Sequence, residues 1–277
     1  GLEDVPYWTN REVTTMREVP GRAVVIGGGP NGIEASQWLS RFGSEVTIVE
    51  LADRLINRED PKVSELTQSF LEEEGIEVRL GRSVEKTRKE GDGSIVATLD
   101  DGAEMEADVL VVVSGRTPRV QGIGLESVGV EPDEKGLPID DRCRLAEGVW
   151  AIGDATGVSL FTHVAKYQAR VVADNILGKE RRADYRGIPR VVFSDPEIAA
   201  AGLTEEQARE QGIDVASASL NITKVLARPW TYEENPRGHF GLVATGSGGC
   251  SSGCGPSPRR PASGSTRPLW PSGRRSP

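Results

Sequence analysis

The sequence predicts an α/β fold built on a parallel sheet, and three observations predict it. Short β-branched runs alternate with segments of helical apolar spacing through residues 22–80. A glycine cluster sits where the first of these strands meets the first helix. A continuous apolar run, Val109 to Val113, then has the composition of a strand buried on both faces.

The elements follow in order. Arg22 to Ile26 reads as a buried strand. Ile33 to Phe42 carries Ile33, Trp38, Leu39 and Phe42 at helical spacing, and Gly43 stops it. Glu45 to Val49 is the second strand. Asp60-Pro61 is a helix start, a capping side chain followed by proline at the first helical position. That helix bears Val63, Leu66, Phe70 and Leu71 and ends at Gly75; Ile76 to Leu80 is the third strand. Val84 to Thr87, Ser94 to Leu99 and Ala103 to Ala107, joined by Gly91-Asp92-Gly93 and Asp100-Asp101-Gly102, read as an antiparallel insert. A second strand-to-loop unit, Gly148 to Asp154, leads into a helix from Phe161 to Leu177. Arg190 to Phe193 is a strand, and Thr204 to Gln207 has capping-box spacing.

Composition limits the function classes. The 277 residues, 27% charged and 37% hydrophobic, exclude a chain disordered throughout and a membrane bundle. A net charge of −9 excludes nucleic-acid binding through a global basic field. Cys143, Cys250 and Cys254 are too few for a disulfide framework and suit a reducing cytosol, so a cytoplasmic location is expected. No signal peptide is read, and the opening Gly1 suits a fragment. Three scattered cysteines and two histidines form no metal set. No lysine follows the glycine cluster as in a Walker loop, and no nucleophile elbow occurs.

Residues 245–277 stand apart. They hold 7 Gly, 8 Ser, 6 Pro and 5 Arg and no acidic residue. Such a segment cannot offset its chain entropy by burial, so a disordered tail is expected. Two origins stay open: a flexible basic tail, or out-of-frame translation of a GC-rich gene.

The glycine cluster Gly27-Gly28-Gly29-Pro30-Asn31-Gly32 fits G-x-G-x-x-G between a strand and a helix. In that context Gly27 allows the tight turn, Gly29 lets the backbone approach a pyrophosphate, and Gly32 lets helix and strand pack closely. The helix N-terminus would attract the phosphates. Glu50, 18 positions after Gly32, ends the second strand and would accept from the adenosine ribose hydroxyls. Its charge favours NAD over NADP, a preference tempered by Arg54 and Arg58 nearby. The bland alternative is a glycine turn without a ligand.

Residues 1–244 resemble the flavin-dependent pyridine nucleotide–disulfide oxidoreductases, in particular the dihydrolipoamide dehydrogenase, mercuric reductase and soluble transhydrogenase group. The resemblance rests on five segments. Val24 to Glu34 resembles the NAD fingerprint, and Gly115-Arg116-Thr117-Pro118 the family's G-R-x-P loop. Trp150 to Asp154 resembles its second flavin motif and Phe161 to Ala165 the helix after it. Pro189 to Thr204 resembles the opening of its interface domain.

The resemblance implies a Rossmann-like FAD/NAD(P)-binding fold with the antiparallel insert, then a truncated α+β interface domain. It divides the chain into a connector (1–19), an NAD-binding domain (20–118), the C-terminal part of the FAD-binding domain (119–183), an interface domain (184–244) and the tail (245–277). It implies NAD contacts at Gly27, Gly28, Gly29, Pro30, Asn31, Gly32, Ile33, Glu34, Glu50, Val84 and Gly115, with Glu34 placing the nicotinamide and pairing with a lysine outside this chain. It implies FAD contacts at Asp154, to the ribitol hydroxyls, and at Leu160, Phe161, Thr162 and His163. His163 is positional rather than an acid–base group, and no catalytic side chain is assigned. The first flavin fingerprint and the redox cysteine pair would lie outside the chain; Cys250 and Cys254 are read as free thiols and Cys143 as structural. The cofactors expected are NAD and FAD, the activity is hydride relay from NADH through FAD to a disulfide or other acceptor, and the intact relative would be a homodimer. Two other readings stay open: an NAD-binding module without turnover, and a non-functional product.

Overall fold

The computed structural model describes residues 2–131, 133–227, 231, 236–245 and 264–265. The chain divides into two compact units, residues 1–115 with 191–277, and residues 116–190.

The first unit opens with β1 (Tyr7–Trp8) and α1 (Asn10–Thr15), then β2 (Arg22–Ile26), α2 (Pro30–Arg41), β3 (Glu45–Glu50), α3 (Pro61–Glu73) and β4 (Glu77–Leu80). β5 (Val84–Lys89), β6 (Ile95–Leu99) and β7 (Glu104–Ala107) form an antiparallel sheet, and β8 (Val109–Val112) returns to the parallel one. The parallel order is β1-β8-β2-β3-β4.

The side-chain period of two explains why both faces of this sheet are apolar. Val25, Ile48 and Val111 point to the face packed by Ile33 and Leu39 of α2 and Leu71 of α3. Their neighbours Val24, Val49 and Leu110 point the other way, onto Ile95, Ala97 and Leu99 of the antiparallel sheet. The insert is therefore the second cover of the parallel sheet. Each fully buried aliphatic side chain contributes roughly 1.5–3 kcal/mol.

α2 starts at Pro30, three residues earlier than its apolar spacing suggests. Proline's fixed φ suits the first helical position, so the end of the glycine cluster is itself helical. α3 starts as expected: the Asp60 side chain accepts from the Lys62 N–H, with Pro61 at the first position. α1, not anticipated, has a capping box between Thr9 and Glu12.

In the second unit β9 (Arg144–Ala146) pairs antiparallel with β10 (Val149–Trp150), a 3-10 turn covers Gly153–Thr156, and α4 spans Thr162–Ile176. The expected strand-to-loop unit Gly148 to Asp154 has its strand at Val149–Trp150, and its turn begins at Gly153, which takes a left-handed φ of 72°. Val120, Leu137 and Ala151 centre a small core.

Beyond this lie β11 (Pro189–Val192), β12 (Ile198–Ala201), α5 (Glu205–Glu210), β13 (Val215–Asn221), α6 (Ile222–Val225), β14 (His239–Thr245) and β15 (Gly264–Ser265). The tail expected to be disordered contributes three described residues. Thr245 pairs with Val215, and Gly264 and Ser265 pair with Val243 and Leu242. The open edge of β14 offers backbone partners that need no apolar side chain. Cys250, Cys254 and the rest of 245–277 lie outside the described residues. No described helix is long and apolar enough to cross a membrane. The described residues hold no His, Cys, Asp or Glu group fit for a metal ion.

Candidate functional site

The glycine loop is closed by protein at three positions and open at one. Gly27 has φ 115°, and a Cβ there would lie 2.8 Å from the Ser114 Cα. At Gly28 a Cβ would meet Leu55 Cδ2 at 2.5 Å, and at Gly32 the Gly27 carbonyl oxygen at 1.8 Å. At Gly29 it would meet nothing within 4 Å. Gly29 is also the residue before α2, and no side chain caps that helix end. Pro30, Asn31 and Gly32 form its first turn, and the Ile33 N–H donates to the Gly29 carbonyl at 3.0 Å. Ile33 is fully buried and anchors that turn in the core. The open side of Gly29 at an uncapped helix N-terminus fits an anionic diphosphate.

Glu50 fastens this loop. One carboxylate oxygen accepts the Gly28 N–H at 2.5 Å and the other accepts the Ala52 N–H at 2.8 Å. The Gly28 carbonyl accepts from Ile56, so the loop after β3 wraps the loop after β2. Arg54 donates to the Glu59 carbonyl at 2.7 Å and lies 3.7 Å from the Glu206 carboxylate. Val84 packs against the second-face core, and Gly115 is exposed with nothing near its Cβ position.

Glu34 lies on α2, where its carboxylate accepts the Phe193 N–H at 2.8 Å. Gln37, one turn on, binds both backbone groups of Asp195, and Arg41 pairs with the carboxylates of Asp195 and Glu74. Glu74 and Asp195 together hold the Arg41 guanidinium above the usual arginine pKa, the Glu74 hydrogen bond being the larger cause. The spacing of 34, 37 and 41 on one helical face is visible in sequence; their partner segment is not, being more than 150 residues away.

In the second unit Asp154 is exposed, and its Oδ2 accepts from Arg116 Nη1 at 3.2 Å. The same Arg116 nitrogen donates to the Leu160 carbonyl at 3.1 Å, so the arginine of the G-R-x-P stretch joins Asp154 to the entry of α4. No bond of Asp154 Oδ1 occurs among the described residues, a free acceptor that fits a polyol hydroxyl. Phe161 is the N-cap of α4 and Thr162 its first residue, and no side chain caps that end. His163 stacks on Phe161 at 5.2 Å, and its Nε2 donates to the Pro189 carbonyl at 2.8 Å. That bond fixes the orientation of the His163 ring. Behind Asp154, Gln168 is fully buried and bonds Gly153, Thr156 and Tyr185. Burial pushes the Cys143 thiol up and the Tyr185 hydroxyl to about 12. Cys143 has no exposure and touches Tyr185, a structural placement.

Residues 2–169 match the family described as pyridine nucleotide-disulphide oxidoreductase, and residues 188–249 match that family's dimerisation domain. The chain belongs to the pyridine nucleotide-disulphide oxidoreductases. Members of this family are enzymes that use FAD and NAD(P)H. Among curated relatives, a mercuric reductase of Streptomyces lividans is 36% identical over 231 residues, 81% of this chain and 48% of its own length. A dihydrolipoyl dehydrogenase of Haloferax volcanii is 36% identical over 215 residues, 76% of this chain and 45% of its own length. Among solved structures, a Cu(II) complex of RclA, an HOCl-induced flavoprotein disulfide reductase from Escherichia coli, superposes with TM-score 0.79 at 29% identity, covering 88% of this chain and 56% of that one. The chain thus spans about half the length of the curated relatives it matches.

Proposed function

We propose that this chain carries the nicotinamide-nucleotide site and part of the flavin site of an FAD-dependent oxidoreductase that passes hydride from NADH to a disulfide or another acceptor. The observation that carries the reading is the glycine loop. Three of its glycines are closed by protein contacts, while Gly29 faces open space at the N-terminus of α2. There the loop backbone and the helix dipole would hold the diphosphate. Glu50, pinned by Gly28 and Ala52, keeps further lone pairs for ribose hydroxyls. A 2′-phosphate about 4 Å from it would meet roughly 4 kcal/mol of repulsion per unit charge at an effective dielectric near 20. Arg54 is engaged by the Glu59 carbonyl and Glu206, which limits its part in offsetting that charge and supports NAD over NADP, with Arg58 still tempering the preference.

Asp154 would accept from flavin ribitol hydroxyls through Oδ1 while Arg116 holds Oδ2, and residues 160–163 would line the flavin at the start of α4. A bound flavin would supply the two-electron chemistry; the protein's part is to orient the ring systems and exclude water. The division into a connector (1–19), NAD-binding (20–118), FAD-binding (119–183), interface (184–244) and tail (245–277) segments belongs to this proposal. So do a homodimer through the interface segment and a cytoplasmic location.

Calorimetric titration with NADH tests the reading: saturable binding that Gly29→Val abolishes is expected, and no heat of binding would overturn it. A second reading is a dinucleotide-binding module without turnover. NADH oxidation with an artificial acceptor after adding FAD separates the two.

A further inference from the structure

The buried side chains of α4 are Val164, Gln168 and Val171, an inward stripe with a polar centre. A leucine at 168 would fill a similar volume but leave the Gly153 N–H without its partner, so what selects glutamine is the group it holds. What glutamine does here is hold Gly153. Its Oε1 accepts the Gly153 N–H at 2.6 Å, while its Nε2 donates to the Thr156 hydroxyl at 3.3 Å and the Tyr185 hydroxyl at 3.1 Å. Thr156 Oγ1 in turn donates to the Gly153 carbonyl at 2.8 Å. Both backbone groups of Gly153 are thereby tied, directly or through one hydroxyl, to a single side chain with no solvent exposure. Tyr185 lies within 3.5 Å of the Cys143 sulfur, which fixes the far end of the network.

The turn needs such a hold. Gly153 and Gly157 have φ of 72° and 65°, and a Cβ at Gly157 would lie 1.7 Å from the Lys135 carbonyl oxygen. On that side the Ala155 carbonyl accepts the Leu137 N–H at 2.8 Å. The turn is thus gripped from both sides, and its product is the outward direction of Asp154, the next residue after Gly153. We propose that Gln168, supported by Tyr185, is a positioning residue that sets the Gly153–Asp154 turn and so aims the Asp154 carboxylate at a bound polyol. This inference rests on the flavin reading of Asp154 given above. A polar residue kept inside an apolar stripe, with every hydrogen-bonding atom used, is where a fold departs from local rules for the sake of a site.

The test compares the full chain with Gln168→Leu and Tyr185→Phe by two measurements, amide hydrogen exchange at Gly153 and FAD titration followed by flavin fluorescence. In Gln168→Leu, Gly153 should exchange about tenfold faster, the factor for one lost hydrogen bond, and FAD should bind about tenfold more weakly. The Val25 and Val111 amides of the parallel sheet should keep wild-type rates. Tyr185→Phe should shift both readouts in the same direction and less. A folded Gln168→Leu with wild-type Gly153 exchange overturns the inference. Should that variant not fold, Tyr185→Phe decides alone, and a Gly153 rate equal to wild type overturns it. If the wild-type chain takes up no FAD, the flavin reading of Asp154 falls, while the exchange rates still decide whether Gln168 sets the turn.

Discussion

The side-chain amide of Gln37 pairs with both backbone groups of Asp195, accepting its N–H at 2.7 Å and donating to its carbonyl at 2.7 Å. Glu34 takes the Phe193 N–H one turn earlier, and Arg41 takes the Asp195 carboxylate one turn later. The helix that starts at the glycine loop therefore reads an extended segment at alternate residues, using side chains where a neighbouring strand would use backbone. Gln37 is buried, so Gln37→Leu leaves the Asp195 N–H unpaired and its carbonyl with only the 3.4 Å bond from Arg41 Nη2, and should cost about 1–3 kcal/mol. Urea unfolding measures it; a loss under about 1 kcal/mol would contradict the assignment.

Two glycines of one loop should respond oppositely to the same change. Gly32→Ala drives a methyl group against the Gly27 carbonyl and should destabilise by about 1–3 kcal/mol. Gly29→Ala points its methyl group into free space at φ −78°, so the melting temperature should hold while NADH affinity falls about tenfold or more. Thermal melts beside calorimetry check the pair.

Glu50→Gln keeps the shape of the loop fastener and removes its charge. One amide oxygen can still accept from Gly28 or Ala52, but not both as a carboxylate does. NADH should bind several-fold more weakly and the preference over NADPH should narrow. Competition titrations with both nucleotides decide, and an unchanged ratio would count against the role of the charge.

The Asp108 carboxyl is held below its ordinary value, first by the Arg22 N–H at 2.8 Å and then by the Arg22 guanidinium. A depressed folded pKa contributes stability above the unfolded value, about 3.9, that is lost as pH falls through the folded value. Unfolding curves below pH 4 should therefore fall more steeply for wild type than for Asp108→Asn.

Tyr185 behaves in the opposite sense. Burial, and then the Cys143 contact, raise its hydroxyl to about 12. Its contribution is complete below the unfolded value, about 10, and fades as pH rises from there toward about 12. Absorbance titration should show one tyrosine ionising late, a step that Tyr185→Phe removes.

Much of this was legible because local signals agreed. The β-branched runs at 22–26 and 45–49 lie between glycine and capping signals, so strand and helix types followed from periodicity. The turns Asp92-Gly93 and Asp101-Gly102 marked the antiparallel hairpins. β13 was not legible: Val-Ala-Ser-Ala-Ser-Leu alternates residues of nearly equal size and weak hydropathy contrast, and the strand is largely exposed. α1 was missed although Thr9 and Glu12 have the spacing of a capping box. The grip of Glu34 and Gln37 on residues 193–195 joins positions too far apart in sequence for any local pattern to relate them.

β1 offers a practical lesson. Tyr7 and Trp8 lie beside Leu110 and Val111, and Val5 and Val13 are buried. Trimming the chain to begin at the first obvious strand, near residue 20, would bare the outer rim of the main sheet and invite sticking between molecules. Anyone excising the nucleotide-binding half for study should keep the opening segment from Leu2 onward.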